Sequence, residues 1–277
     1  MKIFTTRSAL SLYLTQFKQN NQLIGFVPTM GALHKGHLSL IKRAKKETKV
    51  VVCSIFVNPT QFTDPADLEK YPRPIEADID CLKQANCDIL FLPEVAEIYN
   101  NTQTWHINLD GLDERLEGKI RPGHYQGVTQ IVKMLLDIIT PDYAFFGQKD
   151  YQQVLVIDKM VKKLGIPIAL VMCPTVRETD GLAMSSRNIH LKAKERKNAL
   201  ALFKALNQVK LEFSDKSIQE VTYDAIKYLE GSPGVELEYF QLCDAQTLLP
   251  ALTKNTKLVA LVAARVGQTR LIDNVIL

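Results

Sequence analysis

Leu23-Ile24-Gly25-Phe26-Val27-Pro28-Thr29-Met30-Gly31-Ala32-Leu33-His34-Lys35-Gly36-His37-Leu38 sets the architecture. It opens as an apolar, β-prone run over Leu23–Val27 and ends at Leu38–Lys46, where apolar residues recur at spacings of three and four, so a strand leads through a glycine-containing loop into a helix. The same alternation continues outward. Val50–Val57, Ile89–Leu92, Tyr143–Phe146 and Ile166–Val171 are short runs rich in Ile, Val and Phe, as expected of strands covered on both faces. Ile75–Gln84, Val128–Ile139 and Tyr151–Leu164 carry helical periodicity, and Gly165 and Pro167 stop the last of these and start a strand. Alternating strands and helices predict an α/β, Rossmann-like, doubly wound parallel sheet, with ligands bound beyond the carboxyl ends of its strands.

Beyond Val176 the texture changes. Helical patterns over Ala193–Phe213 and Ile218–Leu229 precede strand-like runs Val235–Leu242 and Leu258–Val266, separated by the Ser232-Pro233-Gly234 turn. The expected division is a nucleotide- and substrate-binding domain over 1–175 and a smaller α+β C-terminal domain over 176–277. A length of 277 residues suits one sizeable core and a lesser one, and 46% hydrophobic with 23% charged residues is an ordinary globular balance. A net charge of +4, spread along the chain, gives no footprint for nucleic acid or an anionic membrane. Met1–Leu10 lacks an apolar segment of signal-peptide length and no run approaches a membrane span, so a cytoplasmic protein is expected. Cys53, Cys81, Cys87, Cys173 and Cys243 are odd in number and scattered, and read as reduced thiols.

The chemistry concentrates where the strands end. In Pro28–Leu38 the strand-to-helix turn is a place where backbone N–H groups and the helix dipole favour phosphate. The Gly31-to-Gly36 spacing resembles a P-loop, but His37-Leu38 stand where Lys and Ser/Thr are required, and no dinucleotide glycine fingerprint is present. What remains is His-x-Gly-His, with His34 and His37 a helical turn apart as N–H donors for phosphate, the signature of nucleotidylyltransferases and class I aminoacyl-tRNA synthetases. Two ordinary surface or core histidines are the alternative. Met184-Ser185-Ser186-Arg187-Asn188 resembles the mobile triphosphate-clamping loop of that superfamily, with two hydroxyls and a guanidinium as donors. Phe145-Phe146-Gly147-Gln148-Lys149-Asp150 closes the fourth strand with a cation for phosphate and a glycine that admits a ligand. Asn58-Pro59-Thr60-Gln61-Phe62 closes the second with paired amides suited to a small polar acid, and Arg121-Pro122-Gly123-His124 opens a helix with a cation and an imidazole. Solvated charges, an Asn-Pro turn and a helix cap are the plainer readings of these three segments.

Together these stretches resemble the pantothenate synthetase family, and the resemblance covers almost the whole chain. It rests on the segments just quoted together with Tyr71-Pro72-Arg73, Lys149-Asp150-Tyr151-Gln152-Gln153 and Arg177 to Asn188, all in the family's order. The resemblance implies a ligase that adenylates pantoate with ATP and then passes the acyl group to the β-alanine amine. It also implies His37 as proton donor, and His34, Lys149, Ser185, Ser186 and Arg187 on the phosphates. Pro28, Thr29, Met30, Gly31, Ala32, Leu33, Lys35, Gly36, Gly147, Gln148, Asp150, Val176 and Met184 complete the ATP pocket. Gln61 and Gln153 are implied for pantoate, with Asn58, Tyr71, Arg121 and His124 as further candidates around pantoate and β-alanine. The family uses magnesium, held mainly through ATP phosphates and water; Asp78 and Asp150 are the candidate protein ligands. It is usually a homodimer. Lys35 and Thr60 stand where the family more often has Glu and Met, and neither side chain has an evident chemical role in the sequence. The rival readings are another His-x-Gly-His nucleotidylyltransferase acting on a phosphorylated substrate, a non-catalytic nucleotide sensor, and a zinc site at His34 and His37.

Overall fold

Val50–Ile55 is buried at every residue, as a parallel strand sandwiched between helices must be. It is the third strand of a parallel sheet made of β1 (Lys2–Phe4), β2 (Ile24–Thr29), β3 (Val50–Ile55), β4 (Ile89–Phe91), β5 (Tyr143–Gly147) and β6 (Ala169–Cys173), hydrogen-bonded in the order β1-β4-β3-β2-β5-β6. The computed structural model describes residues 1–99 and 104–277. The helices of this part are α1 (Arg7–Gln19), α2 (Lys35–Glu47), α3 (Pro65–Lys70), α4 (Ile75–Gln84), α5 (Val95–Ile98), α6 (Leu116–Ile120), α7 (His124–Ile139) and α8 (Tyr151–Leu164). The strand order reverses direction at β2, whose neighbours are β3 on one side and β5 on the other. That reversal is the topological switch point of a doubly wound sheet, where a crevice opens beyond the carboxyl ends. Val27, Ile41, Ala44, Val51, Cys53, Leu82, Leu90 and Phe145 form one continuous apolar cluster behind it.

The contacts group Met1–Gly147 with Gln152–Cys173 as a first unit, and Gln148–Tyr151 with Pro174–Leu277 as a second. The second unit has α9 (Ala193–Glu212), α10 (Ile218–Glu230), β7 (Val235–Asp244), β8 (Leu258–Val266) and β9 (Thr269–Ile276), the strands forming an antiparallel meander. Leu202, Leu206, Val209, Val221 and Leu229 pack with Ala260, Val262 and Ala264 as its core. Ser217 and Glu220 cap α10 reciprocally, so that helix starts where its amide donors find acceptors.

Several sequence expectations shift at their edges. β1, α1 and β9 are not among the expected elements, although Leu10, Tyr13, Leu14 and Phe17 of α1 recur at helical spacing. The helix expected from Leu38 begins at Lys35, and the one expected from Val128 begins at His124, because in each case the first turn carries polar residues that break the apolar periodicity. All five cysteines carry thiols, with Cys53 and Cys87 pushed up by burial. Among the described residues no helix is long and apolar enough to cross a membrane.

Candidate active site

In the first unit the turn after β2 is held by its own side chains. Gly31 and Ala32 both take positive φ, +83° and +50°, a conformation unfavourable for alanine by roughly 1–2 kcal/mol. The amides of Ala32 and Leu33 donate to the two carboxylate oxygens of Asp78, at 2.8 and 2.7 Å, and the Gly31 amide donates to Thr29 Oγ1 at 3.2 Å. Next, His34 caps α2: the Gly36 amide donates to His34 Nδ1 at 3.1 Å, and the His34 amide donates to His37 Nδ1 at 3.4 Å. The two rings lie 4.1 Å apart, centroid to centroid, tilted by 31°. A backbone N–H can donate only to an unprotonated ring nitrogen, so the reciprocal cap places the proton of each neutral imidazole on Nε2.

This corrects one expectation. The amides of residues 31 to 34 and of Gly36 all have acceptors within the chain, so they do not form the phosphate cradle that a strand-to-helix turn suggests. The groups of this turn left to face an anion are the imidazole Nε2–H donors. His34 is the cap, outside the helix, rather than one turn along it. Asp78, a magnesium candidate from sequence, is 2% exposed and has both oxygens engaged by amides; burial pushes its carboxyl up from the ordinary range, and the Leu33 and Ala32 amides oppose that. Among the described residues no group of three His, Cys, Asp or Glu side chains is placed to hold a metal ion.

A second network lies at the end of β3. Asn58, 1% exposed, donates from Nδ2 to Gln61 Oε1 at 3.2 Å and to the Gly127 carbonyl at 3.1 Å. Its Oδ1 accepts from the Tyr99 hydroxyl at 2.6 Å and from Thr60 Oγ1 at 3.2 Å. Gln61 Nε2 in turn donates to Met30 Sδ at 2.9 Å. The orientation of both amides is therefore fixed. Among the described residues the Gln61 side chain uses one N–H and one lone pair, and the others are available to a ligand. Burial pushes the Tyr99 phenol up, which keeps it a donor. His124 Nδ1 donates to the Gln61 carbonyl at 2.7 Å, so its Nε2 accepts from Arg121 Nη1 at 3.2 Å, the tautomer opposite to that of His34 and His37.

Sequence reasoning missed three members of this network. Tyr99 sits in no recognisable motif. Thr60, which looked inert, bonds both Asn58 and Tyr99. Gly127 lets α7 approach the 59–61 turn: a Cβ there would lie 2.3 Å from the Thr60 carbonyl oxygen. A glycine inside a helical pattern was the available signal, since it costs about 1 kcal/mol relative to alanine and implies a packing reason. Asn58 and His124 emerge as supports of Gln61. Tyr71 is buried edge-on against Phe62, 5.7 Å away, and Arg73 ties down the carbonyls of Leu68, Glu69 and Tyr71. Gln152 is buried and bonds the Glu117 amide and the Leu112 and Arg115 carbonyls, while Gln153 beside it is half-buried. At Gly147 a Cβ would meet nothing within 4 Å.

The second unit holds the remaining candidates. Lys149 lies 3.5 Å from Asp150, and Asn274 Nδ2 donates to the carbonyls of Gln148 and Lys149 at 2.9 Å each, tying this short turn to β9. Val176 accepts from the Met184 amide and Glu178 donates to Leu182, so residues 176–184 form a small hairpin. Arg177 anchors it with a two-pronged ion pair to Asp273, at 2.6 and 3.0 Å, and with the Phe203 ring 5.0 Å away. At the hairpin's end Ser186–His190 is a 3-10 turn capped by Ser185, whose hydroxyl accepts from the Arg187 amide; Asn188 donates to the Ala183 carbonyl. In this conformation the segment is a hydrogen-bonded 3-10 turn.

A family model described as pantoate-beta-alanine ligase matches residues 2–276 of this chain. The chain is 45% identical over 278 residues to a pantothenate synthetase of Cytophaga hutchinsonii, covering 99% of this chain and 98% of that protein. It is 42% identical to one of Thermotoga petrophila, with both chains fully covered. Among solved structures, pantothenate synthetase from Thermus thermophilus superposes with a TM-score of 0.94 at 40% identity, covering 99% of each chain. Pantoate-beta-alanine ligase from Francisella tularensis, described as complexed with beta-gamma ATP and beta-alanine, superposes with a TM-score of 0.82 at 38% identity, covering 99% of this chain and 97% of that one.

Proposed function

The chain belongs to the pantoate-beta-alanine ligase family, and from that premise we propose how its own residues carry out the reaction. It is a ligase that condenses pantoate with β-alanine to pantothenate, with ATP converted to AMP and pyrophosphate. A carboxylate is a poor electrophile. In the first step a pantoate carboxylate oxygen attacks the α-phosphorus of ATP, and the bond to the bridging oxygen breaks to release pyrophosphate. In the second, the β-alanine amine attacks the acyl carbon of the pantoyl adenylate, AMP leaves, and the nitrogen loses a proton.

The observation that carries the mechanism is the reciprocal cap, which makes His34 and His37 Nε2–H donors at the carboxyl end of β2. Such donors act on charge that grows on the phosphate oxygens during displacement, and they need no reorganisation as it grows. His37 gives its Nε2–H hydrogen bond to the oxygen of the departing pyrophosphate. Gln61, fixed by Asn58 and Met30, orients pantoate together with Gln153, with Arg121 and His124 behind Gln61 and Tyr71 beside Phe62. Lys149, Ser185, Ser186 and Arg187 are the second unit's phosphate donors; Met30 and Gly147 of the first unit, and Val176 and Met184 of the second, are the nucleotide-binding candidates of each. Magnesium would supply charge neutralisation on the triphosphate; Asp78, with both oxygens bonded to amides, would not be free to hold it, and Asp150 would be the remaining candidate protein ligand. Activity as a cytoplasmic homodimer completes the reading.

The test is to supply ATP and pantoate with and without β-alanine and to follow pyrophosphate, AMP and amide. Pyrophosphate should need pantoate, and AMP should need β-alanine for turnover; AMP retained in the product would instead indicate a nucleotidyl transfer. His37→Ala should slow pyrophosphate release about 100-fold, the usual cost of losing a preorganised donor, and an unchanged rate would remove His37 from the mechanism.

A further inference from the structure

Asp78 lies in the first turn of α4, separated in the chain from the histidine motif by β3 and α3, yet it determines the shape of the turn that delivers that motif. Its carboxylate is 2% exposed, and among the described residues no cation pairs with it. Burying an unpaired charge is costly unless hydrogen bonds compensate. Here the compensation is specific: the consecutive amides of Ala32 and Leu33 converge on it, one per oxygen, at 2.8 and 2.7 Å. Successive amides converge in this way only where the backbone turns through the left-handed region, as it does at Gly31 and Ala32. The contact is tight, since a Cβ on Gly31 would stand 3.0 Å from Asp78 Oδ2. An alanine in that region persists only where surrounding contacts over-determine it. Leu33, whose amide the carboxylate holds, is followed directly by His34, whose ring and backbone then set His37 through the reciprocal cap.

We propose that Asp78 is the positioning residue of the His-x-Gly-His motif: its carboxylate replaces an external anion in the turn and so aims His34 and His37. This rests on the ligase reading, and it explains why the turn's amides are withheld from phosphate while the imidazoles are not. The charge is required, because an amide side chain offers one acceptor oxygen and one N–H that would face a backbone N–H.

The experiment is a double-mutant cycle on the pantoate-dependent pyrophosphate burst, whose amplitude counts folded active sites and whose rate constant reports adenylation. Asp78→Ala is expected to lower the rate constant about 100-fold, the loss that goes with a displacement of about 1 Å, and Asp78→Asn about 10-fold. In a His37→Ala background, Asp78→Ala should add less than threefold, because residues acting through one another are not additive. A full additional 100-fold loss would show that Asp78 acts independently of the histidines and would overturn the proposal. So would an unchanged rate constant with only the amplitude or the melting temperature reduced, which is what a merely structural residue gives. Recovery of the Asp78→Asn rate by excess magnesium would overturn it in favour of a metal ligand. Wild-type protein without any pantoate-dependent burst would refute the ligase reading itself, whereas a normal wild-type burst beside unaffected Asp78 variants refutes only the positioning role.

Discussion

Gly127→Ala should damage function more than stability, and the structure gives both magnitudes. The added Cβ would sit 2.3 Å from the Thr60 carbonyl oxygen, 2.5 Å from its carbon and 2.8 Å from Gln61 Cα. Comfortable contacts are about 3.5–4.0 Å, so α7 and the 59–61 turn must separate by about 1 Å. All three obstructing atoms are backbone, and no side-chain rotation relieves the clash. Overpacking of this kind costs about 1–3 kcal/mol, and alanine in place of a helical glycine returns about 0.5–1 kcal/mol. The net loss of about 1–2 kcal/mol lowers Tm by about 2–8 °C. The same 1 Å displaces Gln61, whose amide is fixed by Asn58 and Met30. For a positioning group that displacement reduces the rate about 100-fold, equivalent to about 2.7 kcal/mol of transition-state stabilisation. Steady-state kinetics should show kcat/KM for pantoate falling about 100-fold while the KM for ATP stays put. A lowered Tm with an unchanged kcat/KM for pantoate would refute the claim that α7 sets the position of Gln61.

Three further substitutions probe the supports. Tyr99→Phe removes the 2.6 Å hydrogen bond to Asn58 Oδ1 and should reduce kcat/KM for pantoate about 10-fold, for a bond worth about 1.5 kcal/mol; equal kinetics would exclude Tyr99 from the Gln61 support. Arg177→Met leaves the Asp273 carboxylate, 4% exposed, without its cation, and should destabilise the second unit by about 3–5 kcal/mol, read as a lower denaturant midpoint; a shift below about 1 kcal/mol would assign the pair to the weak surface class. Burial raises the Asp78 carboxyl above its unfolded value, so the native protein keeps this proton where the unfolded chain has lost it. Its contribution to stability is therefore present below the ordinary Asp range near pH 3.9 and declines as pH rises through the raised folded value. The stability difference between wild type and Asp78→Asn, from denaturant midpoints at pH 4 to 7, should fall with pH and then level; a difference that rises with pH would reverse the sign and contradict the desolvated state of the carboxylate.

Much of the fold was legible in the sequence for a physical reason. A strand covered on both faces has to be apolar throughout, and Val50–Ile55 shows that directly, as does the helical spacing after His37. The motif residues were legible too, because strand ends in such a sheet face the crevice and need polar side chains there. β1, with three residues at the sheet edge, could not be distinguished from a loop, since an edge strand has half the burial to advertise.

Sequence by itself determined the alternation of elements, the residue types at the strand ends and hence the family, because periodicity and local composition are properties of neighbours along the chain. Tertiary structure alone decided which of those polar groups would be available to a ligand. The amides after β2 are satisfied by Asp78, 45 and 46 positions away, and Gln61 is oriented by Tyr99 through Asn58 and seated by Gly127 and His124. Those pairings join residues with no spacing rule between them. They exist only because each buried donor and acceptor must find a partner once the chain has folded.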